Sequence, residues 1–291
     1  MTMYFLGGIY LEEIFVCGGD KRSEYIKEYF EKMGYRVRTF GHGKEGENLK
    51  DAKKCDITVL GLPALKDGQV YMPLSQKKVT FGELLSALKS GSYLFGGRFT
   101  DSDISLAASF GITAIDYSED EIFQTENALY TAEGALSTIV DNTDISLCGM
   151  KILVTGGGRI SKAFCSLLGN VPCSADVYAR RELQRTFFTM RGNKTLHALS
   201  SLSGYDVVVN TIPAGVFSRE ILATLDENAL VVDLSARPGY VPKDICDELG
   251  IKLLYLPGIP LRSAPRSAGI AAAKAVERMY RWWGVKNTEG I

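Results

Sequence analysis

The chain has 291 residues, 46% hydrophobic and 23% charged, with 33 basic and 34 acidic side chains and a net charge of −1. These are the proportions of a soluble globular protein long enough for two cored domains, and the charge balance excludes a broad nucleic-acid surface. No apolar run approaches membrane-spanning length, and Met1–Leu6 carries no basic region before Glu12 and Glu13, so neither a membrane span nor a signal peptide is expected.

Ile14–Cys17 predicts a short buried strand, followed by Gly18, Gly19 and Asp20 and then a helix from about Ser23 to Met33. In that helix Tyr25, Ile26, Tyr29, Phe30 and Met33 recur at helical spacing, and Gly34 closes it. Tyr35–Phe40 is the next strand. The unit is βαβ without a phosphate-binding fingerprint, because Asp20 would repel a pyrophosphate; no second nucleotide site is expected here. Further strands read at Asp56–Leu60, Ser92–Phe95 and Ile112–Ile115, with loops at 61–64 and 96–98 and a short helix ending over Ala107–Phe110. Such alternation predicts a mostly parallel, doubly wound sheet. Thr125–Val140 is helical again, with Ala128, Leu129, Ala132, Leu136, Ile139 and Val140 on one side, and is the expected bridge between domains.

Next, Lys151–Thr155 forms an apolar strand that runs into Gly156, Gly157 and Gly158, then a helix opening on Arg159, Ile160 and Ser161, then a second strand over Asp176–Arg181. This is the layout of a dinucleotide fingerprint. Gly156 makes the tight turn, Gly158 lets backbone N–H groups approach a pyrophosphate, and the anion sits at a helix N-terminus. Gly156, Gly158, Arg159 and Ile160 are therefore assigned to the cofactor. Ser161 stands where a third glycine is usual and is small enough to keep the helix close to the strand. An NAD site carries an acid at the end of the second strand, whereas an NADP site favours arginine. Here that end is expected at Arg180 and Arg181, with Asp176 at the wrong end. Guanidinium groups suit a phosphate, which favours NADP; Glu182 leaves NAD as the alternative.

Strands at Asp206–Asn210, Ala229–Leu234 and Ile251–Tyr255 complete this half, separated by helical spans near 218–225 and 242–249. Gly269–Trp283 is a closing amphipathic helix, with Ile270, Ala273, Val276, Met279, Tyr280 and Trp283 on one face, expected to return across the domain junction. The expected class is α/β with two doubly wound parallel-sheet domains. An N-terminal domain covers residues 1–124 and is joined by the C-terminal helix 265–291. A bridging helix covers 125–142, and a Rossmann NAD(P)-binding domain covers 143–264.

Ligands of open α/β sheets bind outside the carboxyl ends of the strands. That rule applied to both halves gathers residues 18–20, 62–64, 97–98, 211–214, 235–239 and 257–266 around one cleft. Asn210, Thr211 and Pro213 follow the fourth strand of the second half, where they are placed to meet a nicotinamide ribose or carboxamide. Arg98, Arg237, Arg262 and Arg266 all fall in these loops, and together they suggest an anionic, dicarboxylate ligand. There is no Ser-His-Asp order and no Cys–His couple. Neither His42 nor His197 lies in a cleft loop or shows ligand-like spacing, which argues against an ordinary keto-acid reductase and against a metal site. The six cysteines (Cys17, Cys55, Cys148, Cys165, Cys173 and Cys246) form no Cys-x-x-Cys and read as reduced, buried thiols of a cytoplasmic protein.

These motifs resemble the A subunit of bacterial dipicolinate synthase, from about Ile14 to the closing helix. The likeness rests on Gly18–Asp20, on Thr131–Gly134, on Gly156–Arg159 with Ala179 and Arg180, and on Asn210–Ala214. It continues in Asp233–Gly239, Pro257–Pro260 and Ala264–Gly269. It departs at Ser161, at Tyr240 and Leu261 where glycines are usual, and at Arg266 where lysine is expected; the changes at 240 and 261 bear on the substrate more than on the cofactor. The resemblance implies a sporulation enzyme of the mother-cell cytoplasm that oxidises dihydrodipicolinate, from a branch of the lysine pathway, to dipicolinate with NADP. A flavoprotein-like B subunit would be its partner, and a homo-oligomer is expected. Arg98, Arg237 and Arg262 or Arg266 would hold the carboxylates, and Glu133 would accept the proton or orient an arginine. The rival readings are another NADP-dependent oxidoreductase of a small carboxylate and a non-catalytic nucleotide-binding scaffold subunit.

Overall fold

A computed structural model of the chain describes residues 13–43, 45–235 and 238–288. Contacts divide the chain into two units: residues up to Gln124 with those from Pro265 onward, and Thr125–Ala264.

In the first unit, β1 (Glu13–Cys17) is buried at every position after its first, the signature of a strand covered on both faces of a parallel sheet. Helix α1 (Arg22–Lys32) leads to β2 (Arg36–Phe40), an edge strand whose Arg36 and Arg38 reach out to Glu13. Then come β3 (Ile57–Val59), a small hairpin of β4 (Leu65–Lys66) and β5 (Gln69–Val70), α2 (Phe81–Ala87), β6 (Tyr93–Gly96), α3 (Asp101–Ser109) and β7 (Thr113–Asp116). Thr80 and Glu83 close a capping box on α2, as Thr100 and Asp103 do on α3; each such cap is worth about 1 kcal/mol. The main sheet is parallel throughout in the order β2-β1-β3-β6-β7. Its direction of winding reverses between β1 and β3. Phe15, Leu60, Leu84, Leu85 and Leu94 anchor one core cluster of the unit.

Helix α4 (Glu121–Asn142) carries the chain into the second unit. It starts four residues before the expected Thr125, because the Asp120 carboxylate accepts the Phe123 N–H at 2.7 Å and caps an earlier turn. The second unit follows with β8 (Lys151–Thr155), α5 (Arg159–Leu168), β9 (Ser174–Tyr178), α6 (Glu182–Thr189), the short β10 (Thr195–Leu196), β11 (Val207–Asn210), α7 (Arg219–Leu222), β12 (Leu230–Asp233), α8 (Lys243–Glu248), β13 (Lys252–Tyr255) and α9 (Pro260–Ser263). Its six strands are all parallel in the order β10-β9-β8-β11-β12-β13. This is the Rossmann order, with the switch point between β8 and β11. Strands β8, β11 and β12 are apolar on both faces, so one core forms on each side of the sheet, around Phe164 and Phe188 and around Leu153 and Leu222.

The chain then re-enters the first unit as α10 (Pro265–Thr288), starting four residues before the amphipathic stripe at Gly269 and at the 265 drawn as the domain limit, with proline at a first position that needs no N–H. Gly269 brings α10 directly onto α1, since a Cβ there would overlap the Arg22 carbonyl. Tyr29 donates to Glu277 at 2.6 Å, and Tyr280 packs edge-on against Tyr93 and Phe95. All six cysteines are free thiols; Cys148 is exposed and Cys173 half-buried, which corrects the expectation that all six are buried. Among the described residues no helix is long and apolar enough to cross a membrane, and no His, Cys, Asp and Glu group is placed to hold a metal ion.

Candidate functional site

The glycine turn after β8 sits beside the switch point of the second sheet. Gly156 has φ +113°, its N–H donates to the Tyr178 carbonyl at 2.8 Å, and a Cβ on it would overlap Thr211 Oγ1. Only glycine fits there. Gly157 is crowded by Gln184, whose side chain lies 2.7 Å from where a Cβ would stand. Gly158 differs from both: nothing lies within 4 Å of its missing Cβ, and it leads into α5 without a side-chain cap. The first N–H groups of α5 therefore stand without a side-chain acceptor beside open space, the arrangement that favours an anion.

An open hollow of about 340 Å³ lies over this turn, lined by the three glycines, Ala179, Arg180, Arg181, Gln184 and Thr211–Pro213. Arg180 and Arg181 are both exposed. Strand β9 ends at Tyr178 rather than at Arg181, so the arginines belong to the loop beyond the strand and are free of the sheet ladder. Asp176 is mid-strand, where it accepts from the Tyr205 hydroxyl at 2.8 Å and lies 3.6 Å from Lys194. Burial, reinforced by Asp176, raises the Tyr205 pKa. Glu182 is the exposed first residue of α6.

Of the other residues assigned to the cofactor, Thr211 and Pro213 line the hollow, whereas Arg159 is exposed and Ile160 packs on the core. Asn210 is fully buried. Its Oδ1 accepts from Thr155 Oγ1 at 2.8 Å and from the Ile212 N–H, and its Nδ2 donates to Asp233 Oδ1 at 2.9 Å. The same Asp233 oxygen accepts the Ser235 N–H. Thr155, Asn210 and Asp233 thus tie the ends of β8, β11 and β12 together, and the Asn210 side chain holds the loop instead of facing the hollow.

The first unit's glycine turn is closed. A Cβ on Gly18 would meet Met72 and the Tyr71 carbonyl, and one on Gly19 would overlap Ser23 Oγ. Asp20 is buried and engaged by Arg22 Nε at 2.9 Å and Nη2 at 2.7 Å, while that guanidinium also donates to the Leu62 carbonyl. Burial opposes the Arg22 charge, yet the Asp20 carboxylate raises its pKa on balance.

The residues assigned to the substrate separate by unit. Arg98 follows β6 in the first unit, exposed and at φ +64°; Arg266 is exposed in the first turn of α10. Glu133 is exposed on α4, and Arg262 lines a second hollow of about 200 Å³ with Gly134, Ser137, Thr138 and Ser263. Arg237 lies outside the described residues. Two residues outside the sequence-based assignment join this site: Gln184 lines the hollow beside Gly157, and Arg185 bonds the Ala179 and Arg180 carbonyls; the run of basic residues after β9 was the signal for Arg185, and nothing in the sequence pointed to Gln184.

Residues 13–118 match the family model of the N-terminal domain of the dipicolinate synthase A subunit. That stretch belongs to this family. Over 289 residues the chain is 24% identical to the dipicolinate synthase A subunit of Bacillus subtilis (strain 168), covering 92% of this chain and 95% of that protein. The crystal structure of the Bacillus subtilis protein superposes with a TM-score of 0.83 at 23% identity, over 96% of this chain and 98% of that one. That of the Bacillus halodurans protein gives 0.82 at 22%, over 94% and 99%. D-lactate dehydrogenase from Escherichia coli is more distant, with a TM-score of 0.63 at 12% identity over 94% and 97%. The family resemblance read in the sequence is thus the one these likenesses return, and the fold is that of two-domain dehydrogenases.

Proposed function

We propose that the chain is the A subunit of a dipicolinate synthase and oxidises dihydrodipicolinate to dipicolinate with NADP, in the cytoplasm of the sporulating mother cell. The observation that carries the cofactor part is the open face of Gly158 at the α5 N-terminus beside Arg180 and Arg181. The turn fits a dinucleotide: the pyrophosphate takes the α5 N–H groups, and the two guanidiniums take a phosphate on the adenosine ribose. A bound nicotinamide supplies the acceptor for a hydride.

The substrate loses one hydride and one proton, and its ring becomes an aromatic pyridine. That product is intrinsically favoured, so the protein mainly orients the ring and holds two carboxylates. Arg98, Arg237 and either Arg262 or Arg266 are the proposed carboxylate ligands, and Glu133 accepts the proton or orients one of these arginines. The scarcity of histidine supports this reading, since His42 is buried after β2, His197 is exposed after β10, and neither lines the hollow. A flavoprotein-like B subunit is the proposed partner, and the chain is proposed to self-associate.

The test is an absorbance assay of nicotinamide reduction with enzymatically generated dihydrodipicolinate, with and without the B subunit. Turnover with NADP well above that with NAD is expected. Dinucleotide binding without turnover in either arm would overturn the enzyme reading in favour of a scaffold.

A further inference from the structure

Three arginines crowd the end of β9, and the cofactor reading uses only two. The third, Arg185, is half-buried on α6. Its Nη1 donates to the Ala179 carbonyl at 2.8 Å and to the Arg180 carbonyl at 2.7 Å. The next carbonyl, that of Arg181, accepts the N–H groups of Gln184 and Arg185 at 3.1 and 3.2 Å. Ala179 is further held by its own N–H, donated to the Leu196 carbonyl at 3.1 Å. All three carbonyls of the loop between β9 and α6 therefore have donors, two of them from one guanidinium.

This pattern has an electrostatic consequence. Carbonyl oxygens carry partial negative charge, and bare ones beside the hollow would repel a phosphate. A group that stays protonated at any accessible pH and donates from one nitrogen to two of them offsets that partial charge. It also fixes the backbone from which Arg180 and Arg181 project.

We propose that Arg185 is a positioning residue: by clamping the carbonyls of Ala179 and Arg180 it sets Arg180 and Arg181 on the adenosine phosphate and so selects the phosphorylated dinucleotide. The inference rests on the cofactor reading above. Arg185 acts through its two neighbours, not as a phosphate ligand itself.

Equilibrium titrations of NADPH and of NADH, with thermal melting as the fold control, test it on the full-length chain. The wild type is expected to prefer NADPH. R185M lowers NADPH affinity about tenfold, the effect of losing charge-assisted hydrogen bonds, while NADH affinity changes by less than about twofold. R185K keeps the charge on a differently placed and more strongly hydrated ammonium, and gives the same selective loss, smaller in size. In an R180A/R181A background, R185M adds less than about a further twofold, because the residues it acts through are gone.

A full tenfold loss in that background would make Arg185 a direct ligand and overturn the positioning role. A parallel loss of NADH binding would reduce it to a structural residue. A wild type without preference for NADPH overturns the reading of Arg180 and Arg181 and the clamp with it. A preference that survives R185M and R185K overturns the clamp alone.

Discussion

Ser161 Oγ, fully buried, lies 2.9 Å from Thr211 Oγ1. The Thr211 hydroxyl gives its proton to the Thr155 carbonyl at 2.8 Å, so Ser161 is the donor of the pair. A serine where the fingerprint usually has a third glycine thus pins the first turn of α5 to the loop after β11, across the switch point. Removing either end has different costs. S161A deletes a donor but leaves Thr211 bonded to Thr155, at about 1 kcal/mol. T211V strands a buried serine hydroxyl and removes one of two donors from the Thr155 carbonyl, which keeps the Thr211 N–H at 3.0 Å, at about 2 kcal/mol. Urea denaturation should rank T211V below S161A; equal stabilities would mean that Ser161 is only a small residue that happens to fit.

Gly156 and Gly158 are two residues apart and should fail in opposite ways. An alanine at 156 must adopt φ +113° and overlap Thr211 Oγ1, so G156A should destabilise the second unit by several kcal/mol, about 2–4, from strain and forced repacking. Gly158 has an ordinary φ of −85° and free space where a Cβ would go. G158A should therefore melt within a few degrees of wild type and yet lose dinucleotide affinity at least about tenfold, because the methyl fills the approach to the α5 N–H groups. Calorimetric melting beside a binding titration reads both. A G158A variant that binds normally removes the pyrophosphate from this turn.

Arg98 holds φ +64° at an exposed position with no side-chain partner among the described hydrogen bonds, a conformation costing a non-glycine residue about 1 kcal/mol. Its backbone is held from outside, by the N–H of Arg98 to Ser118 Oγ and of Phe99 to Asp116 Oδ2. Strain kept at a strand end, when glycine would relieve it, is consistent with a ligand-binding guanidinium. R98G should raise the stability of the first unit by about 1 kcal/mol while raising KM for the dicarboxylate about tenfold or more. A stabilised enzyme with unchanged KM would release Arg98 from the substrate.

Much of this architecture was legible because the period of the apolar residues is local information. The buried runs at Ile14–Cys17, Ile152–Thr155 and Val207–Asn210 are short and bounded by turn residues, as covered parallel strands are. The hairpin of β4 and β5 is marked locally only by Asp67 and Gly68, both at positive φ, the dipeptide that favours tight hairpins; two-residue strands carry too little alternation to register. The Thr80–Glu83 capping box was likewise in plain view. At the candidate site, the role of the glycines followed from spacing, whereas that of Asn210 did not. Its partners, Thr155 and Asp233, are supplied by neighbouring strands, and sheet order is a tertiary fact that no local pattern encodes. Arg185 is a similar case: its carbonyl acceptors depend on the path of the loop after β9, which the run of basic residues does not specify.

The pairing of Asp120 with Arg278 gives the first unit a pH-dependent brace. Arg278 on α10 donates to both oxygens of Asp120, at 2.5 and 3.2 Å, and the Phe123 N–H adds a third bond. Burial pushes the Asp120 pKa up, but the guanidinium and the N–H groups of the first α4 turn outweigh it and hold the carboxyl below its ordinary value of 3.8. A depressed folded pKa means that the unfolded chain takes up the proton first as the pH falls. The brace is therefore fully present above the ordinary value and is lost as the pH drops through the folded one. At neutral pH, D120N should cost about 1–3 kcal/mol, the worth of hydrogen bonds to a charged group, since the amide keeps the cap but not the charge. The gap between wild type and D120N in urea midpoint should stay constant down to about pH 4 and close below it. A gap that persists unchanged in more acidic solution would show that Asp120 contributes by shape and hydrogen bonding rather than by its charge.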